Sequence, residues 1–328
     1  MNMPTAAQRL ARWVTGLRYE DLSPEAIHHA RRCMLDTLGV QLRGATLPWV
    51  QPSHRYARAL GGNGTATITY HGGKVHAPYA AYANSAFSYS CELQHHGSPE
   101  SAHPGVIVVP VVQALGEQLG ASGREVITAM VAGYEAQGRL GAAIFSPEFP
   151  RHYNARERHF HMQGMLGVFS AVAAAGRLLG LTEEQQTHAF AIAGSHACGL
   201  LEYDEAGGEV KRIHGALGAR NGIQAAMLAR EGLTGPLTVF EGRHGFFAAF
   251  GGNKPAHPEA LLAELGAPFC ITRCTYRIYP TIGTCHSPLD ILGDLMREHG
   301  FAAAEVAHVR VGMYERGLMH VGTVRRPH

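Results

Sequence analysis

Charge is scarce in this chain. Only 16% of its 328 residues are Asp, Glu, Lys or Arg, and 28 basic side chains nearly balance 26 acidic ones, for a net charge of +2 with the histidines neutral. No long basic run occurs, which argues against nucleic acid as the main partner. Although 46% of the residues are hydrophobic, no stretch is long and apolar enough to span a bilayer. The six cysteines, Cys33, Cys91, Cys198, Cys270, Cys274 and Cys285, lack the spacing of a secreted disulfide framework. The opening Met-Asn-Met-Pro-Thr leads into an amphipathic pattern with no signal-peptide core. A reduced, cytoplasmic protein free of membranes and nucleic acid is expected.

Glycine and histidine are plentiful instead, at 40 and 21 residues. Most of those histidines must be scattered surface or core groups, so position has to select among them. The most informative stretch runs from residue 159 to 222. It opens on His159 and His161, passes through two small-residue-rich helical patterns and closes on Lys211, Arg212 and His214. Gly164 to Leu179 carries almost no charge and is apolar nearly all round, the pattern of a buried helix. Thr182 with Gln185 forms a capping box for the next helix, which should end between Gly194 and Gly199. Polar chemistry therefore sits at the ends of a buried helical hairpin.

The rest of the chain repeats that style. A helix is expected over Thr5 to Leu17, and Ser23-Pro24 caps another that should run to about Leu38. Residues 66–76 read as a small β-hairpin, and Ala77 to about Leu93 returns to helix. His103-Pro104-Gly105 starts a Val-rich helix containing Pro110, and Ser122 with Glu125 caps the next. His103 thus precedes one helical hairpin, His161 a second, and Lys211 a third helical unit running to Glu231. From about Pro268 the pattern changes: Ile271 to Tyr279 and Val306 to Tyr314 alternate like strands around a helix at Ser287 to Glu298. The expected fold class is mainly α, with a large all-α domain at 1–266 and the start of an α+β domain at 267–328.

Several blocks in order resemble one known family. They are ATITYHGGKVHAPYAAYANSAFSYS, SAHPGVIVVPVVQALGEQLG, HMQGMLGVFSAVAAAGRLLGLTEEQQTHAFAIAGSHACGLLE, GGEVKRIHGALGARNGIQAAMLAREGLTGPLTVFEGRHGF and YRIYPTIGTCHSPLD. Together they are similar to the 2-methylcitrate dehydratase (MmgE/PrpD) family, which also holds cis-aconitate decarboxylase and iminodisuccinate epimerase. The resemblance implies a large all-α domain, a smaller α+β domain and a site between them. It also implies that the small domain is truncated here, and that the protein is a homodimer joined by close-packed helices. The implied chemistry is removal or delivery of a proton beside a carboxylate, without a cofactor or metal.

On that resemblance, the catalytic candidates are His103, His161 and Lys211. A helix N-terminus disfavours the charged form of His103 and keeps it usable as a base. Lys211 and His214 stand one helical turn apart, so both can face one anionic ligand. His214, Glu92, Arg277 and His286 are the substrate-binding candidates. Glu92 stands where the family places an acidic residue upstream of His-Pro-Gly, and Arg277 where it commonly has Lys before Tyr-Pro. Thr281-Ile282-Gly283 replaces the polar or cysteine residues that usually follow, and His286 retains the downstream histidine. His159 is expected to be a bystander, Arg212 a solvated group, and His95-His96 a solvent-facing pair. Cys270, Cys274 and Cys285 are the only cysteines close together in sequence, and without close Cys pairs they do not suggest an iron–sulfur cluster. No tight Cys/His spacing suggests zinc either, so no metal is expected. The expected function is a lyase removing water, or CO2, from a small di- or tricarboxylate. An epimerase or isomerase on the same site, and a truncated non-catalytic helical binding protein, are the alternatives.

Overall fold

The computed structural model describes residues 3–97, 102–144, 159–251, 257–313 and 317–318. Local capping sets most of the helix starts. Thr5 opens α1 (Ala6–Gly16) with both halves of a capping box, and Ser23 accepts from the Ala26 N–H at the head of α2 (Pro24–Gly44). Helix α2 runs past the expected Leu38 because Val40, Gln41 and Gly44 are buried, and Gly44 lies so close to Phe87 that a Cβ there would collide with the Phe87 carbonyl. After α3 (Gln51–Leu60), strands β1 (Ala66–Thr67) and β2 (Lys74–Val75) pair antiparallel, Ala66 facing Val75.

Helix α4 (Ala77–Ser88) is shorter than its sequence pattern suggested. It stops at Ser88, and the chain reaches left-handed backbone at Glu92 (φ 54°). Then come α5 (Gly105–Leu119), with Pro110 inside it, and α6 (Gly123–Ile144). Next are α7 (Met162–Leu178), buried from Gln163 to Gly176, and α8 (Glu183–Gly194), opened by the Thr182–Gln185 capping box. The short α9 (Tyr203–Ala206) precedes α10 (Lys211–Arg230), and α11 (Phe246–Phe250) follows.

Helix α7 is the centre of the packing, lying against α5, α6, α8 and α10. Its partnership with α10 depends on the absence of side chains. A Cβ on Gly222 would run into Ala171, and one on Gly218 would lie 3.2 Å from the Gly167 backbone. Small residues let the two helices approach, and the apolar atoms gained in contact repay the conformational cost of helical glycine.

The chain divides into two compact units, Met1–Tyr276 and Arg277–His328. The division falls after Tyr276 rather than after residue 266, and the reason is Glu135. Its carboxylate, fully buried on α6, accepts from the N–H groups of Gly266 (2.9 Å) and Cys270 (2.7 Å) and from Arg139 Nε (2.8 Å). Arg139 in turn donates to the Glu264 carbonyl. This segment therefore completes the helical unit.

The strands expected at 271–279 and 306–314 are absent among the described residues. Cys270–Arg273 is a 3-10 turn, Thr275 makes one isolated bridge with His96, and Val306–Met313 carries no regular structure. Alternation alone does not make a strand when no neighbouring strand takes its N–H and C=O groups. The described part of the second unit is built on α12 (His286–His299), closed by Gly300 in the left-handed conformation. The protein is thus mainly α.

Candidate active site

Tyr89 is the residue around which the polar side chains of the helical unit gather. It sits just beyond α4 and is 2% exposed. Its hydroxyl lies 3.2 Å from His161 Nε2, and its ring plane is nearly parallel to that imidazole. The His103 ring stands 5.8 Å away between centroids, and Lys211 Nζ lies 5.5 Å from the centre of the phenol. Had α4 continued to Leu93, this turn of the chain would not exist.

His161 stands at the head of α7, where its side chain makes no capping bond. It is held instead by its neighbours. Nδ1 lies 2.8 Å from His214 Nδ1, and the Tyr203 ring closes against both imidazoles at 5.3 and 5.7 Å. His214 is buried on the first turn of α10, and burial pushes its pKa down to about 4. It is therefore neutral near pH 7. Lys211, one turn earlier on α10, donates to Glu92 Oε1 at 2.7 Å. Lys211 and His214, expected to face one ligand, stand one turn apart on α10 and meet two different partners, Glu92 and His161.

His95 and Gln163 both hold His103. Its Nδ1 donates to the His95 carbonyl (2.8 Å), so Nε2 is the basic nitrogen. Gln163, fully buried on α7, accepts from the His103 N–H (3.0 Å) and donates to the His103 carbonyl (2.8 Å). This exchange ties the strained backbone at Ala102 (φ 53°) to the first turn of α7. The head of α5 is thereby registered against the head of α7, which carries His161.

The helical unit thus brings His103, His161, Lys211, Glu92 and His214 around one tyrosine. Arg277 and His286 belong to the second unit, where the His286 ring lies 5.4 Å from Tyr279. Sequence reasoning missed Tyr89, Tyr203 and Gln163. Tyr89 and Gln163 lay inside blocks already singled out, and the tyrosine was hidden by the expectation that its helix continued. His159 is exposed. Two other readings need correction. His95 is 1% exposed, bound through Nδ1 to Asp36 (2.6 Å), while His96 is half-buried with its ring 5.0 Å from His103. Neither is a solvated histidine, because the chain after Ser88 folds inward. Arg212 is not merely solvated either, since it donates to the Ser90 carbonyl and lies over the Trp49 ring.

The arrangement offers an imidazole pair, a phenol and an ammonium within one cluster. It can hold an anion and move a proton along Tyr89, His161 and His214. Residues 8–259 match the MmgE/PrpD N-terminal domain. The cis-aconitate decarboxylase of Aspergillus terreus (strain NIH 2624 / FGSC A1156) is 28% identical, over 96% of this chain and 66% of that protein. The cis-aconitate decarboxylase of Homo sapiens is 30% identical over 78% of this chain and 52% of its own length, and that of Mus musculus 28% identical over 78% and 51%. The chain therefore spans between about half and two thirds of these relatives. With a match covering most of its helical unit, the chain belongs to the MmgE/PrpD family.

Proposed function

We propose that this chain is a cofactor-independent lyase that moves a proton beside a carboxylate of a small di- or tricarboxylic acid. The observation that carries the reading is the row Tyr89–His161–His214 beside the Lys211 ammonium. Lys211 binds a substrate carboxylate by a charge-assisted hydrogen bond, with Glu92 holding the ammonium in place. His161 and Tyr89 deliver or remove the proton, His214 relays it, and His103 Nε2 serves as the second acid–base group.

The names of the relatives favour loss of CO2 over loss of water. In that reaction the electrons of the broken C–C bond stay on carbon, which takes a proton from the Tyr89–His161 row as CO2 departs. In the hydro-lyase form, one group removes the proton beside the carboxylate and another protonates the departing hydroxyl. A second reading, epimerase or isomerase, is favoured by the two imidazoles, His103 and His161, that approach Tyr89 from different helices. One could take a proton and the other return it.

The test is incubation of the full chain with cis-aconitate, 2-methylcitrate and a panel of dicarboxylates in D2O, followed by NMR. A product one carboxylate smaller and deuterated at the carbon that lost CO2, or a product one water smaller, supports the lyase. Exchange at a stereocentre with no group lost supports the epimerase. Binding without turnover or exchange of any carboxylate would leave a non-catalytic helical binding protein. The same reading makes the protein a cytoplasmic homodimer joined through its close-packed helices. Sedimentation as a monomer at all concentrations would contradict the dimer. Among the described residues no helix is long and apolar enough to cross a membrane.

A further inference from the structure

Beside the candidate active site, and sharing none of its side chains, three soft donors meet in the core. Cys33 on α2 is fully buried, His95 is 1% exposed and Cys274 7% exposed. One ligand atom from each lies within 4.8 Å of the other two. They are separated by long stretches of sequence, so no spacing pattern announces them. We propose that Cys33, His95 and Cys274 form a structural site for a soft divalent cation, zinc first.

The geometry suits that ion. Tetrahedral zinc, with bonds of about 2.3 Å to sulfur and about 2.0–2.1 Å to nitrogen, places its donors roughly 3.5–3.8 Å apart. Two thiolates and one neutral imidazole balance its charge, and zinc binding would displace whatever protons those three groups hold. The imidazole is already oriented. Asp36 Oδ2 accepts from His95 Nδ1 at 2.6 Å and from the His95 N–H at 3.2 Å, and a metal bound at Nε2 would take the place of the Tyr134 hydroxyl that lies 2.8 Å from that nitrogen. A carboxylate behind a metal-binding histidine fixes its tautomer in this way. Two phenol oxygens are at hand for a fourth position, Tyr276 at 3.4 Å from Cys33 Sγ and Tyr134 at 2.8 Å from His95 Nε2. Soft thiolates with imidazole favour zinc over the oxygen-seeking calcium and magnesium.

The consequence is architectural. The ion would tie α2 to the segment after α4 and to the end of the helical unit. The His95 carbonyl accepts from His103 Nδ1, so fixing His95 also steadies the neighbouring candidate base. Cys270, also buried, has a different neighbour in Glu135 and serves as the control thiol.

The test uses the full chain, stripped by a chelator under anaerobic conditions and reloaded with zinc(II) or cobalt(II) alone. One zinc per chain should survive dialysis, and the cobalt form should show thiolate-to-cobalt charge transfer and intense tetrahedral d–d bands. Cys33→Ser and Cys274→Ser should lose both signals, whereas Cys270→Ser keeps them. In case the variants fail to fold, alkylation mapped by peptide mass spectrometry is run on the wild type. Zinc should slow modification of Cys33 and Cys274 specifically under mild denaturant. Substoichiometric zinc, a cobalt spectrum without sulfur bands or unchanged by Cys274→Ser, equal alkylation with and without zinc, or a Cys33–Cys274 disulfide in anaerobically purified protein would overturn the proposal.

Discussion

His161 and His214 approach each other through like nitrogens, Nδ1 to Nδ1, at 2.8 Å. Two lone pairs at that distance would repel, so one ring donates and the other accepts, and the pair holds a proton between them. With His161 Nε2 on the Tyr89 hydroxyl, protonation at one end of this row alters the hydrogen-bond roles at the other. The row joins the heads of α7 and α10 to the turn after α4.

Replacing His161 by Ala should lower kcat roughly 10²–10⁴-fold, as expected for loss of a general acid–base group. The cooperative melt should survive, because His161 makes no capping bond to α7. Steady-state kinetics on a turned-over carboxylate, beside thermal melts, checks both. Wild-type kcat in the variant would remove His161 from the chemistry.

Lys211→Met should reduce kcat/KM roughly 10–100-fold, the loss of one charge-assisted hydrogen bond to substrate. Because Lys211 and Glu92 are each more than a quarter exposed as side chains, their mutual pair contributes little to stability. The melting temperature should barely move, and a variant that loses activity only by unfolding contradicts the role.

His214 sets a pH dependence of folding. An unfolded imidazole takes up its proton near pH 6.5, the folded one only at about 4. Between those values the unfolded state binds more protons, so stability falls as pH drops from about 6.5 toward 4 and is unaffected by this group above that range. His214→Asn should flatten this part of the curve in urea titrations at pH 7, 6 and 5. An unchanged slope would show that His214 does not carry it.

Glu135→Ala should cost about 3–5 kcal/mol, since it strands Arg139 as a buried, unpaired charge. Hydrogen exchange at the Gly266 and Cys270 amides should accelerate, because both lose their acceptor. Chemical denaturation and exchange mass spectrometry read the two effects separately.

Gly222→Ala should destabilise by about 1–3 kcal/mol through collision with Ala171 between α7 and α10. Gly39→Ala, on α2 with open space around its Cβ position, should instead stabilise by about 0.5–1 kcal/mol. Opposite shifts in the urea midpoint are the expected result. Equal shifts would mean that the close approach of the helices is not under compression.

Local order was legible in the residues alone. Thr5, Ser23, Ser122 and Thr182 mark helix starts because a cap acts within three residues of itself. The uncharged run after Gly164 announced a buried helix, and the ordered blocks announced the family and its mainly helical fold. His161 and Lys211 could be placed at helix heads for the same local reason. The tertiary structure decided what depends on distant partners. Helix α4 ends at Ser88 and turns Tyr89 inward, Gln163 takes both backbone groups of His103, and Glu135 holds the chain as far as Cys270 within the helical unit. Cys33, His95 and Cys274 meet for that reason too. A helix pattern constrains neighbours three or four residues apart, whereas these meetings are chosen by how whole helices pack once their glycines let them touch.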